Sequence, residues 1–125
     1  MTHLVIKRTY DPIHSTDGYR ILVDRIWPRG VSKKAAQIDE WNKIVAPSTA
    51  LRKWFNHEPE KWQEFTIQYI NELKVNNTAA MFWEAHKEKE KITLVYAAKD
   101  KEHSHPLILM EYLKTFLEKE YKPKN

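Results

Sequence analysis

Ile92-Thr93-Leu94-Val95-Tyr96-Ala97-Ala98 runs directly into Lys99-Asp100-Lys101-Glu102-His103-Ser104-His105-Pro106, and these fifteen residues decide the fold. The first seven are β-branched or apolar and too few for a stable helix, so they read as a strand. The polar stretch after them reads as a loop. Pro106 suits the first turn of a helix, where a missing N–H costs nothing. Beyond it, Leu109, Met110, Leu113, Phe116, Leu117 and Tyr121 recur at helical spacing and form one apolar face. A strand that feeds a helix through a short polar loop is the unit of a layered α/β protein.

Working outward, two more strands precede this one. Leu4-Val5-Ile6 leads into Lys7, Arg8 and Thr9 and ends at Asp11-Pro12, where proline removes a ladder donor. Ile21-Leu22-Val23 is a short continuous apolar run, the pattern of a strand covered on both faces. The connection between them, from Asp11 to Tyr19, is short enough for a hairpin, which leaves the orientation of the first strand open. Between the second and third strands the period changes. Lys33–Val45 reads as a helix through Ile38, Trp41 and Val45, and Ser48 or Thr49 caps a short helix that runs through Trp54. Pro59 opens another with a stripe of Trp62, Phe65, Tyr69, Ile70 and Leu73. Asn76-Asn77 breaks the pattern, and Thr78 caps a helix carrying Met81, Phe82 and Ala85. The expectation is a single α/β domain over residues 1–125, with a short, largely parallel sheet flanked by helices.

Composition closes several functional classes. The chain has 125 residues, 42% of them hydrophobic and 12% aromatic, which suits a packed core and argues against disorder. It has no cysteine, which excludes disulfides, thiolate nucleophiles and thiolate metal sites. No segment approaches a membrane span of about 20 apolar residues. The opening MTHLVIKRTY lacks a basic region followed by an apolar stretch, so a cytoplasmic protein is expected. With two glycines, a glycine-rich phosphate loop is also excluded. Net charge is +4, from 21 Lys and Arg against 17 Asp and Glu, well short of the excess typical of nucleic-acid binders. The arginines are nonetheless clustered: Arg8, Arg20, Arg25, Arg29 and Arg52 all precede residue 53. Arginine offers a rigid fork matched to carboxylate or phosphate, whereas lysine is a solvated point charge.

Ligands of open α/β sheets bind beyond the carboxyl ends of the strands. After the second strand comes Asp24-Arg25-Ile26-Trp27-Pro28-Arg29-Gly30, in which Arg25 and Arg29 flank a Trp-Pro pair. These two guanidiniums suit a phosphate or carboxylate, and Trp27 suits a ring that stacks on it. The plainer alternative is a structural corner in which Trp27 fills the core edge and Asp24 and Arg25 pair with neighbours. After the third strand, Asp100, His103 and His105 precede a helix N-terminus that favours an anion; His105 is placed like a cap, and His103 with Asp100 suits proton transfer near neutral pH. A solvated loop with a histidine cap is the alternative there. His103 and His105 alone fall short of a metal site, and nothing identifies a cofactor. Ser48 and Arg52 share a helix face four residues apart and extend the proposed anion site; the alternative is capping and surface pairing.

The stretches DGYRILVDRIWPRGVSK (Asp17–Lys33), Trp41 through APST, LRKWF and His57 to Trp62, and ITLVYAAKDKEHSH (Ile92–His105) together resemble the YeaO-like proteins of domain-of-unknown-function family 488. The resemblance spans nearly the whole chain. It implies a small bacterial or archaeal α/β protein without an established activity. The family's third motif usually ends like Glu-His-Asn-His-Ala, whereas here Ser104 and Pro106 flank His105. Some branches carry cysteine in this loop, and a thiol mechanism does not transfer to a chain that has none.

The leading expectation is an anion-recognising cleft, with Arg25, Arg29, Arg52 and Ser48 on the anion, Trp27 stacking, and Asp100 with His105 handling protons. Its partner is a phosphorylated or nucleotide-like small molecule, bound or acted on as an enzyme substrate. The alternative is a nucleic-acid or protein-binding module without catalysis. A membrane partner is not expected.

Overall fold

The computed structural model describes residues 2–120, so Tyr121, assigned above to the last helix, lies outside the described residues. Four strands form one sheet: β1 (His3–Arg8), β2 (Tyr19–Leu22), β3 (Glu40–Trp41) and β4 (Lys91–Tyr96). Their spatial order is β1-β4-β2-β3, and every pairing is parallel. The stretch that opened the sequence reading is therefore the central strand. Ile92, Thr93, Leu94 and Val95 are all fully buried because β4 is paired on both edges and covered on both faces.

The helices are α1 (Lys33–Ala36), α2 (Thr49–Phe55), α3 (Trp62–Val75), α4 (Thr78–His86) and α5 (His105–Glu120). Ile21, Val23, Ile92 and Leu94 pack in one cluster with Phe65, Tyr69 and Leu73 of α3, Phe82 and Trp83 of α4, and Ile108, Leu109 and Leu113 of α5. Burial of each such large apolar side chain contributes roughly 1.5–3 kcal/mol. The spacing of the α3 and α5 stripes had already identified most of these positions. Asn77, with φ of 57°, precedes α4 in the cap position expected of Thr78, which is instead the first helical residue. Pro59 opens a 3-10 turn, Pro59–Lys61, that leads into α3.

One orientation left open by the sequence is settled, and one expectation is corrected. The connection from β1 to β2 is not a hairpin, because both strands lie parallel to β4 on its opposite edges. The connector instead crosses β4, where the Thr93 hydroxyl donates to the Asp17 carbonyl at 2.6 Å. The helix expected over Lys33–Val45 stops at Ala36. Gln37 adopts the left-handed conformation (φ 48°), and the chain turns to form β3 against β2. Asp39 fastens this turn, since its carboxylate accepts the Arg20 N–H at 2.8 Å and its own N–H donates to the Arg20 carbonyl.

Asp17 lies at the centre of a buried ion cluster beneath the connector. Lys7 Nζ approaches it at 2.9 Å and Arg20 Nη1 at 2.7 Å. Burial alone would push the Asp17 carboxyl up. The hydrogen bonds from Lys7, the His14 N–H and Arg20 outweigh it and hold the group below its ordinary value of 3.8. A carboxyl depressed in the folded state contributes stability that is present above its unfolded pKa and lost as pH falls through the folded one. Acid unfolding should therefore show wild-type stability falling below about pH 4, with a shallower fall in Asp17→Asn; equal slopes in the two proteins would show that this cluster does not drive the acid limb.

Candidate functional site

The carboxyl ends of the parallel strands open into a cleft of about 660 Å³. One wall is the segment after β2, from Asp24 to Arg29. The other is the segment after β4, from Ala97 to Asp100, together with His103, Ser104 and His105. Ala46, Pro47, Arg52, Phe55 and His57 close a third side. Of the residues singled out from sequence, Arg25, Trp27, Arg29, Arg52, Asp100 and His105 all line this one cleft.

Ser48 is the exception. Its hydroxyl donates to Glu72 Oε2 at 2.5 Å and accepts the Leu51 N–H, while its own N–H donates to Glu72 Oε1. It caps α2 and ties it to α3, which is the plainer reading of that residue, and it is not among the residues that line the cleft.

The five arginines separate into two groups. Arg8 donates to the carbonyls of Ala97 and Ala98, which fixes the segment after β4. Arg20 donates to Ala36 and Gln37 as well as Asp17. Arg25 donates through Nε to Pro47 (3.0 Å) and through Nη2 to Ala46 (3.3 Å). In these three the guanidinium fork clamps backbone, although Arg25 also faces the cleft. Arg29 and Arg52 are exposed, line the cleft, and make no side-chain hydrogen bond among the described residues. They are the guanidiniums open to a ligand. Trp27 is held by Nε1–H donation to the Val31 carbonyl at 2.6 Å and by an edge-on contact with Trp41, at 5.3 Å between centroids. Its ring therefore lines the cleft in a fixed orientation.

The proton-handling pair expected from sequence is rearranged. Asp100 Oδ1 accepts the N–H groups of Glu102 and His103, and Oδ2 lies 2.9 Å from His103 Nδ1. His103 hydrogen bonding holds the Asp100 carboxyl below its usual range, against desolvation. Asp100 thus builds its own loop, occupying the Glu102 and His103 amides. His105 faces Asp24 instead: its Nε2 lies 2.9 Å from the Val23 carbonyl and 3.5 Å from Asp24 Oδ1. It is also the first residue of α5 and not the residue that caps it. The Tyr69 ring meets the imidazole edge-on at 5.9 Å, and the Tyr69 hydroxyl is anchored by donation to the Val45 carbonyl.

Asp24, which the sequence places with Arg25, Trp27 and Arg29 after β2 but without a chemical role of its own, also lines the cleft. Burial pushes its carboxyl up, opposed by His105, the Ala97 N–H and Arg52. Burial likewise pushes the His105 imidazole down, opposed by Asp24 and the Val23 carbonyl, so the neutral form is favoured. The signal for Asp24 was its position immediately after the apolar run of β2. What could not be read was its partner, which lies at the start of the last helix.

A smaller cavity of about 340 Å³ lies elsewhere, lined by Tyr19, Glu40, Met81 and His86 among others. Its polar groups are already paired: His86 places Nδ1 at 2.7 Å from the Phe82 carbonyl and Nε2 at 2.9 Å from Glu40 Oε1. Among the described residues no cluster of three or more acidic or histidine side chains is placed to hold a metal ion. No described helix is long and apolar enough to cross a membrane.

A small parallel α/β sheet with a cleft at its carboxyl edge defines the class of protein. The chain belongs to domain-of-unknown-function family 488: the family model described as the inactive DUF488-N3 subclade matches residues 3–125. It is similar to the uncharacterized protein YeaO of Escherichia coli K12, at 42% identity over 109 residues, covering 87% of this chain and 95% of that protein. It is also similar to the uncharacterized protein Rv3073c of Mycobacterium tuberculosis H37Rv, at 38% identity over 114 residues, covering 90% of this chain and 94% of the relative. No solved structure matches.

Proposed function

We propose that the protein binds a small phosphorylated or nucleotide-like anion in the cleft at the carboxyl edge of the sheet and holds it without turning it over. One observation carries this reading: the guanidiniums of Arg29 and Arg52, with no internal hydrogen bonds among the described residues, face a single cleft alongside a fixed Trp27. Arg25, Arg29, Arg52 and Lys99 outnumber Asp24 and Asp100 on its lining by four to two. The apolar surface of Ile26, Trp27, Pro28, Phe55 and Ala98 suits a planar or hydrocarbon portion of the same ligand. Binding without turnover fits the family description as inactive. It also fits the commitment of Asp100 to its own loop and the absence of any cysteine.

A thermal-shift screen of nucleotides, sugar phosphates and inorganic phosphate tests the reading. A ligand present at 100 times its dissociation constant stabilises the fold by about 2.7 kcal/mol. Arg52→Met should weaken that ligand roughly ten- to a hundredfold, the value of about 1.5–3 kcal/mol for a lost charge-assisted hydrogen bond. A ligand that stabilises wild type and Arg52→Met equally would place its binding outside this cleft.

A further inference from the structure

The rim of the cleft is cationic, but its floor is made of hydrogen-bond acceptors. Asp24 is 17% exposed, and its Oδ2 accepts the Ala97 N–H at 2.9 Å. Its Oδ1 makes no hydrogen bond to a described residue, and His105 Nε2 lies at the long distance of 3.5 Å. The nearer partner of that same nitrogen is the Val23 carbonyl at 2.9 Å. A carbonyl can only accept, so Nε2 carries the hydrogen and donates it there. In a neutral imidazole with a protonated Nε2, the other nitrogen, Nδ1, is an acceptor. His105 is 16% exposed, and its Nδ1 receives no hydrogen bond from any described residue.

Nearby protein donors do not hydrogen-bond these atoms: Arg52, whose charge opposes the upward push of burial on the Asp24 carboxyl, makes no hydrogen bond to it among the described residues. Arg25 spends Nε and Nη2 on Pro47 and Ala46, the Trp27 N–H goes to Val31, and the Trp41 N–H goes to the Asp24 carbonyl. A carboxylate oxygen of Asp24 and the imidazole Nδ1 of His105 thus remain as acceptors without a protein donor, on two residues that line the same cleft. A ligand that brings donors can satisfy them. A bare anion brings none, and would meet the Asp24 carboxylate as a like charge.

Building on the anion-binding reading, we propose that the ligand carries hydroxyl donors as well as its phosphate. It is then a sugar phosphate or ribonucleotide whose sugar hydroxyls donate to Asp24 Oδ1 and His105 Nδ1 while the phosphate meets Arg29 and Arg52. The ribose is the recognised part, and the rim arginines supply attraction without distinguishing one phosphate ester from another.

The full chain titrated calorimetrically with adenosine monophosphate and with its dideoxy analogue tests this, because the pair share base and phosphate and differ only in the ribose hydroxyls. Wild type should bind the dideoxy compound at least about tenfold more weakly. Asp24→Asn can keep the Ala97 bond through its amide oxygen, which turns its –NH2 toward the ligand, so the two affinities should converge. Equal wild-type affinities overturn the proposal and leave the anion reading standing. An undiminished preference in a folded Asp24→Asn also overturns it. If that variant does not fold, the wild-type pair decides. Binding of neither compound, nor of inorganic phosphate, removes the anion reading and this proposal together.

Discussion

Arg20→Met is expected to lose about 3–5 kcal/mol of folding stability, the cost of breaking a buried ion pair by removing one partner. The Arg20 side chain is 4% exposed, and its guanidinium makes every contact inside the protein: Asp17 at 2.7 Å, the Ala36 carbonyl at 3.1 Å and the Gln37 carbonyl at 3.2 Å. Methionine fills similar volume but donates nothing. Asp17 would keep Lys7, while the two carbonyls at the end of α1 would lose their partner. Those carbonyls belong to the left-handed turn that delivers β3, so edge-strand pairing should loosen with them. A thermal melt is the measurement, and at roughly 4 °C per kcal/mol the midpoint should fall by about 10–20 °C. A shift of only a degree or two would mean that solvent replaces the lost bonds and that the cluster is not structural.

Gly18→Ala should cost about 2–6 kcal/mol, from a strained backbone and an overpacked contact together. Gly18 has φ of 71° and enters β2 directly opposite the start of β4, where Tyr19 pairs with Ile92. A Cβ at this position would lie 2.5 Å from the Lys91 carbonyl oxygen and 2.8 Å from the Lys91 Cβ. Neither atom is at the end of a flexible chain, so β2 and β4 would have to separate. Gly30→Ala is the control. Its φ of 77° carries the same kind of backbone strain, but an added Cβ would meet nothing within 4 Å. Equal losses in the two variants, read from denaturant midpoints, would show that close approach at Lys91 contributes nothing.

What could be read from the sequence follows from where burial dictates residue type. β4 is paired on both edges and buried from Ile92 to Tyr96, so its run is apolar apart from Thr93, whose hydroxyl is satisfied by the Asp17 carbonyl, and Ile92–Ala98 stands out. The α3 and α5 stripes were legible because each of these helices buries one face. β3 was not, because two residues carry no period. It exists through pairing with β2 and through the bonds of Asp39 to the Arg20 backbone. The hairpin ambiguity after β1 had the same origin: ten connecting residues permit either route, and the route taken is fixed by pairing with β4, the Thr93–Asp17 bond and the ion cluster of Lys7, Asp17 and Arg20.

The site was legible as a location and less so as chemistry. In a parallel sheet the residues after each strand share one edge, so Arg25, Trp27, Arg29, Asp100 and His105 could be gathered without coordinates. The state of each group depends on neighbours remote in sequence. Arg8 and Arg25 are held by carbonyls of Ala97, Ala98, Ala46 and Pro47, and small apolar residues give no hint that their backbone will accept a guanidinium. The same remoteness hid the pairing of His105 with Asp24, whereas Asp100 turns to His103, only three residues away.

Nitrogen–proton correlation spectra recorded while adenosine monophosphate is added read out whether the one cleft at the carboxyl edge of the sheet takes the anionic ligand. Shifts should concentrate at Arg29, Arg52, Ala98, His105 and the Trp27 indole, with Tyr19, Glu40, Met81 and His86 around the smaller cavity unmoved. Saturating shifts centred on that second group, or no shifts at all, would contradict it.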